Sequence, residues 1–148
     1  MWFNPIMTWL LRSPLHAFVS KNMMLITYTG RKSGKTYTTP VNYVRIDSDR
    51  GSYLLTTSFS QRTWWRNLRG GAPVSLMLQG KAVQATATLV EDEQGVIDDL
   101  RALVLGSPQY ARYLEVSTSP DGAPDAQALA RAAKDRITVR TFLPGRGE

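Results

Sequence analysis

The chain contains no cysteine and a single histidine, His16. The first absence excludes a disulfide framework, a thiolate nucleophile and a cysteine-ligated metal. The second leaves a histidine metal centre or a Ser-His-Asp triad without its parts, so no metal site is expected. Acidic residues are missing from the whole stretch before Asp47, where Arg12, Lys21, Arg31, Lys32, Lys35 and Arg45 all fall. Beyond that point cations and acids balance, so the net charge of +6 belongs to the N-terminal third. Such a field draws in an anionic partner, whether a phosphorylated cofactor, a nucleic acid or an acidic membrane surface. There is also no uninterrupted apolar run of membrane-spanning length, because Pro5 and Pro14 break the apolar segment Met1–Met24. That segment shows no clear signal-peptide cleavage site.

What is present suits one folded domain. Of 148 residues, 43% are hydrophobic and 20% charged, enough to bury a core and too apolar for a disordered chain. The stretch Leu25–Asn42, LITYTGRKSGKTYTTPVN, places a basic loop bracketed by Gly30 and Gly34 between two runs of strand formers. The loop gathers three cations and several N–H donors at one point, which makes it either an anion seat or a tight turn whose charges face water. It is not a nucleoside triphosphate loop: only Arg31, Lys32 and Ser33 separate the glycines, and a strand rather than a helix follows.

Residues 2–18 roughly keep a helical period and divide at the prolines, giving an N-terminal amphipathic helical segment, residues 1–23. It either lids its own barrel or makes a peripheral membrane contact through its tryptophans and basic residues. The rest, residues 24–148, reads as one domain. Strands are expected over Met24–Thr29, Thr38–Ile46, Ser52–Ser58, Val74–Gln79, Lys81–Val90 and Ile137–Leu143, with Pro40 marking an edge, a bulge or a strand start. Lys81–Val90 alternates Val83, Ala85, Ala87 and Leu89 against a more polar set, the mark of a strand with two different faces.

Between the strands, Trp64, Trp65 and Leu68 are spaced as one face of a short helix, with Arg62, Arg66 and Arg69 around the other. Glu91-Asp92-Glu93 opens a helix that ends at Gly106, and Ser107-Pro108 is the expected cap of a next one carrying Tyr110 and Tyr113 on one face. Asp125–Arg136 is an alanine-rich helix by propensity. The sum is a mostly β (α+β) domain of six to seven largely antiparallel strands, a small barrel or strongly curved sheet.

Thr27–Lys35 with Thr39-Pro40, then Trp64-Trp65-Arg66-Asn67-Leu68 and Pro108-x-Tyr110-x-x-Tyr113, resemble the deazaflavin-dependent nitroreductase family of the split β-barrel, flavin-reductase-like class. The resemblance runs from about Leu25 onward. It implies an FMN-binding type of split barrel and an oxidoreductase in which reduced coenzyme F420 passes hydride to a quinone, nitroaromatic or similar small-molecule acceptor. F420 is a deazaflavin with a lactyl phosphate and a polyglutamate tail. The resemblance further implies that Arg31, Lys32, Ser33, Gly34 and Lys35 hold its phosphate and acidic end, with Thr39, Pro40, Arg62, Trp64 and Asn67 also at the cofactor, while Tyr110 and Tyr113 line the acceptor pocket as the candidate catalytic groups. Lys35-Thr36-Tyr37 stands where the family commonly has an arginine, and Ser58-Phe59-Ser60-Gln61-Arg62 replaces a Ser-Lys-Gly-Gly-type loop.

Two other readings share the barrel: an FMN-dependent reductase, and a non-enzymatic carrier of a cofactor, lipid or haem-like anion. A nucleic-acid module is not expected, because Tyr37 and Tyr43 beside Arg45 form too small a basic-aromatic patch. A cytoplasmic protein, membrane-associated if residues 2–18 bind lipid, and a homodimer through an exposed sheet edge complete the expectations.

Overall fold

The computed structural model describes residues 23–48, 51–78 and 80–144. The expected N-terminal segment, with its lid and membrane alternatives, lies outside the described residues except for Met23, which already belongs to the first strand.

Among the described residues seven strands, three α-helices and one 3-10 helix follow one another: β1 (Met23–Thr29), β2 (Thr36–Asn42), β3 (Val44–Ser48), β4 (Gly51–Phe59), the 3-10 helix (Trp64–Leu68), β5 (Ala72–Leu78), β6 (Lys81–Val90), α1 (Glu93–Gly106), α2 (Gln109–Tyr113), α3 (Ala126–Ala133) and β7 (Arg136–Phe142). The strands form one sheet in the order β2-β1-β5-β6-β7-β4-β3, with every pairing antiparallel. Its two outer strands, β2 and β3, are consecutive in the chain and separated only by Tyr43, which is buried. A sheet whose opposite edges meet at one residue must curl, and Thr56 Oγ1 donates to the carbonyl of Asn42 at 3.0 Å across that seam. The result is a split β-barrel, a curled half-barrel of seven antiparallel strands.

The single strand expected over Thr38–Ile46 is therefore two strands that part at Tyr43. Pro40 lies within β2, opposite Leu25, on a strand with only one ladder partner. Its missing N–H is tolerated at such an edge.

Alternation along the strands splits the apolar residues between two cores. Met24, Ile26, Tyr28, Leu54, Val74, Leu76, Ala87, Ile137 and Val139 fill the concave side together with Trp65 and Leu68 of the 3-10 helix. Leu55 and Val90 point the other way and pack with Val96, Leu100, Leu103 and Val104 of α1 and Leu129 of α3. α1 is capped by Asp92, which accepts the Gly95 N–H at 2.8 Å, and α3 by Asp125, which accepts the Ala128 N–H at 2.9 Å. α2 has no side-chain cap: Pro108 holds the N-cap position, and Ser107 accepts the Tyr110 N–H through its backbone carbonyl instead.

The helical layer is pinned to the sheet by one buried carboxylate. Asp99 of α1 accepts Thr138 Oγ1 at 2.6 Å and Arg140 Nη2 at 2.7 Å. No helix among the described residues is long and apolar enough to cross a membrane.

Candidate active site

The basic loop joins β1 to β2, whose ladder ends at Thr29 opposite Thr36. It is closed by the Gly30 N–H on the Lys35 carbonyl at 2.7 Å and by the Gly34 N–H on the Gly30 carbonyl at 2.8 Å. Gly34 adopts φ +71°, where a side chain is strained. Gly30 is needed for a different reason: a Cβ there would lie 2.6 Å from Tyr37 Cε2. Ser33 spends its hydroxyl inside the loop, accepting the Lys35 N–H at 3.2 Å and sharing a 3.0 Å hydrogen bond with the Tyr37 phenol.

Arg31 is held from the tryptophan helix. Its backbone N–H donates to Asn67 Oδ1 at 3.1 Å, and its guanidinium donates to the Arg69 carbonyl. Asn67 is fixed in turn through its own amide on the Trp64 carbonyl at 3.0 Å. Arg69 is paired with Glu91 at 2.9 Å. Lys32 and Lys35, by contrast, are exposed and make no ion pair among the described residues. Arg31, whose guanidinium donates to a neutral carbonyl, also makes no ion pair among the described residues, so all three loop cations offer charge to an incoming anion.

Beside this hairpin lies a cleft of about 380 Å³, lined from three sides: Thr39–Asn42 of β2, Thr57–Phe59 at the end of β4 with Arg62 and Trp64 after it, and Ser107, Gln109, Tyr110 and Tyr113 around α2. That size suits a flat small molecule. Among the described residues its lining includes several hydroxyls, two phenols and the cation Arg62, but no carboxylate or histidine. No group of residues able to hold a metal ion occurs among the described residues. The arrangement can hold a planar, oxygen-bearing ligand and hand it a phenolic proton; it offers no nucleophile paired with a base.

Tyr110 and Tyr113 meet edge to face with ring centres 6.0 Å apart. Tyr110 is half-buried, and that burial, with the neighbouring Tyr113 second, pushes its phenol above the ordinary value. Tyr113 stands more open, 56% exposed. On the opposite wall, Trp64 Nε1 donates to Ser58 Oγ at 3.3 Å, and Thr39 Oγ1 shares a 3.2 Å hydrogen bond with the Tyr28 phenol. Tyr28 touches Trp64 on one side and stacks on Tyr37 on the other, both with ring centres 5.9 Å apart. Tyr37 reaches Ser33, so an unbroken line of contacts runs from the basic loop to the cleft.

The structure therefore brings Thr39, Pro40, Arg62, Trp64, Tyr110 and Tyr113 into one cleft and leaves Arg31, Lys32, Ser33, Gly34, Lys35 and Asn67 out of its lining. Asn67 supports the loop from behind. Sequence reasoning missed Val41, Asn42, Thr57, Ser58, Phe59, Ser107 and Gln109 as cleft residues. Their neighbours in sequence were singled out, but only the curl of the sheet sets β2, β4 and α2 face to face.

Residues 14–120 match the family described as F420H(2)-dependent quinone reductase. The chain belongs to that family. It is an F420-dependent reductase, which agrees with the resemblance carried by the glycine loop and the tyrosine helix. Among solved structures, a protein from Bacteroides thetaiotaomicron assigned to 5-nitroimidazole antibiotic resistance shares 10% identity, with 88% of this chain and 78% of that one covered and a TM-score of 0.50. That likeness supports the barrel fold. A structure described as an F420-H2 dependent reductase (FDR-A) shares 19% identity over 81% of this chain and 94% of its own, with a TM-score of 0.43. Another, described as a domain-swapped dimer, shares 20% identity over 83% of this chain and 81% of its own, with a TM-score of 0.45. No curated protein matches the chain in sequence.

Proposed function

We propose that the cleft seats the redox ring of reduced F420 beside a quinone or nitroaromatic acceptor, and that the Gly30–Lys35 loop holds the phosphate and glutamate end of the cofactor. The supporting observation is the division of chemistry along one surface: unpaired Lys32 and Lys35 at the loop, then the aromatic line Tyr37, Tyr28 and Trp64, then a cleft whose lining holds no carboxylate. Cations without partners suit phosphate and carboxylate groups, and ring faces with scattered hydroxyls suit a flat heterocycle. The residues present therefore fit the cofactor.

The cofactor supplies the hydride when bound; the chain orients the reactants and manages one proton. A quinone that takes up a hydride also needs a proton to leave as hydroquinone. Tyr110, a phenol protonated through the physiological range, can donate to the acceptor oxygen, with the exposed Tyr113 edge to face beside it. Trp64 and Phe59 give the site two aromatic walls.

Titration of the full chain with F420 and, separately, with the same deazaflavin lacking its phosphate and glutamate tail tests the division. Changing both Lys32 and Lys35 to Ala is expected to weaken F420 binding at least about tenfold while leaving the tailless ring unaffected. Equal weakening of both ligands, or of neither, would sink the assignment of the loop. Turnover with a quinone and with a nitroaromatic then ranks the acceptors, and Tyr110→Phe is expected to lower kcat without changing F420 affinity.

A further inference from the structure

Arg136 opens β7 directly opposite Phe59 of β4, so the two side chains share one face of the sheet. The carbon at the centre of its guanidinium lies 4.2 Å from the centre of the Phe59 ring and 5.1 Å from that of Tyr113. Both rings line the cleft. Nε and Nη1 of Arg136 are buried and have no hydrogen-bond partner among the described residues. Among the described residues no carboxylate pairs with it, although Arg140 on the same strand is neutralised by Asp99. Ring faces hold this cation in place of an acid. A charge without a counter-charge keeps its field, and the Phe59 and Tyr113 rings that it touches are themselves part of the cleft wall.

We propose that this end of the cleft is a site for a planar aromatic oxyanion and that Arg136 confers the preference. Arg62, which lines the cleft itself, adds to it from the open side. Arg136 does not touch the occupant, so it is a positioning and specificity residue: it holds Phe59 and Tyr113 as a wall and favours negative charge beyond them. The consequence for turnover rests on the reading of the cleft as the acceptor seat. A quinone that accepts a hydride with its electron pair becomes a hydroquinone monoanion before a proton completes it, and the field of Arg136 favours that charge as it develops.

Benzoate and nitrobenzene test the inference, because they have nearly the same shape and differ by one charge. The full chain without cofactor is titrated with each and followed by NMR. Wild type is expected to bind benzoate about tenfold more tightly than nitrobenzene. Arg136→Met and Arg136→Gln are expected to abolish that preference, whereas Arg136→Lys keeps it and Arg62→Met only reduces it. Equal affinities in wild type, a preference that survives in either neutral variant, or one that vanishes wholly with Arg62→Met overturns the proposal. Should the neutral variants fail to fold, the wild-type Arg136 Nε–H resonance decides: it is expected to move with benzoate and not with nitrobenzene, and a resonance indifferent to both refutes the idea. No F420 is present, so failure here leaves the cofactor seat intact, and failure of the cofactor seat leaves this preference measurable.

Discussion

Asn67 accepts the backbone N–H of Arg31 at 3.1 Å across thirty-six residues of sequence, which ties the basic loop to the tryptophan helix. The same side chain donates to the Trp64 carbonyl, so one amide fixes both a cleft wall and the loop beside it. Asn67→Ala should therefore raise the KM for F420H2 several-fold with little change in kcat, since it loosens the loop without touching the tyrosines. The loss of two hydrogen bonds, one exposed and one partly buried, should also lower stability by about 1–2 kcal/mol in urea unfolding. An unchanged KM would show that the loop keeps its shape without this tie.

The two loop glycines should respond differently to the same substitution. Gly30→Ala puts a methyl 2.6 Å from Tyr37 Cε2 and 2.9 Å from Ser33 Oγ, so the Tyr37 ring must leave its stack on Tyr28. That overpacking should cost about 1–3 kcal/mol and change the tyrosine near-ultraviolet circular dichroism. Gly34→Ala meets nothing within 4 Å but sits at φ +71°, so about 1 kcal/mol is lost to backbone strain with the aromatic signal preserved. Identical spectra for the two variants would contradict this placement of Tyr37.

Among the described residues Asp99 is the buried charged side chain that ties the helical layer to the sheet. It is 2% exposed and receives Thr138 together with two nitrogens of Arg140. Asp99→Ala leaves the Arg140 guanidinium and the Thr138 hydroxyl without their acceptor and should destabilise the fold by about 3–5 kcal/mol. Replacing Arg140 by Met in the same chain should recover part of the loss, because the stranded charge is then gone. Chemical denaturation of the single and double variants measures both.

Alkaline pH should weaken the fold through its tyrosines. Burial, as the largest cause in each case, raises the phenols of Tyr28, Tyr53 and Tyr110 above 10.0. In the unfolded chain they lose protons near that value, while the folded chain holds them to higher pH. Above about pH 10 the folded state therefore binds more protons than the unfolded one, and stability must fall as pH rises. Below that window their contribution is intact. Urea midpoints measured between about pH 8 and about pH 11 should decline, and Tyr110→Phe should make the decline shallower. A midpoint independent of pH in that range would remove burial of these phenols as the cause.

Local signals were legible in the chain. The glycine-bracketed turn, the alternation of Lys81–Val90, the helix starts at Asp92 and Asp125 and the helical spacing of Trp65 and Leu68 all depend on neighbours a few residues apart, and each appears in the structure. The break at Tyr43 was not legible, because the strand-breaking signal in Thr38–Ile46 is Pro40, which lies inside β2, while the two halves on either side of Tyr43 pair with different partners. Nor was it visible that Ser33 turns inward to Tyr37, or that Asn67 ties the loop to the tryptophan helix from outside the cleft lining.

The amino-acid sequence by itself determined largely antiparallel strands in a small barrel or strongly curved sheet, a cationic turn between the first two and a pair of phenols on a short late helix, because periodicity, turn chemistry and charge are properties of adjacent residues. Tertiary structure alone decided which of those features share a site. Curling of the sheet at Tyr43 sets Thr39, Phe59 and Tyr110 around one cleft, and the β4–β7 register places Arg136 behind it. The physical reason is that a cleft and the field within it are sums over residues brought together by strand pairing, and pairing partners far apart in the chain leave no local trace of one another.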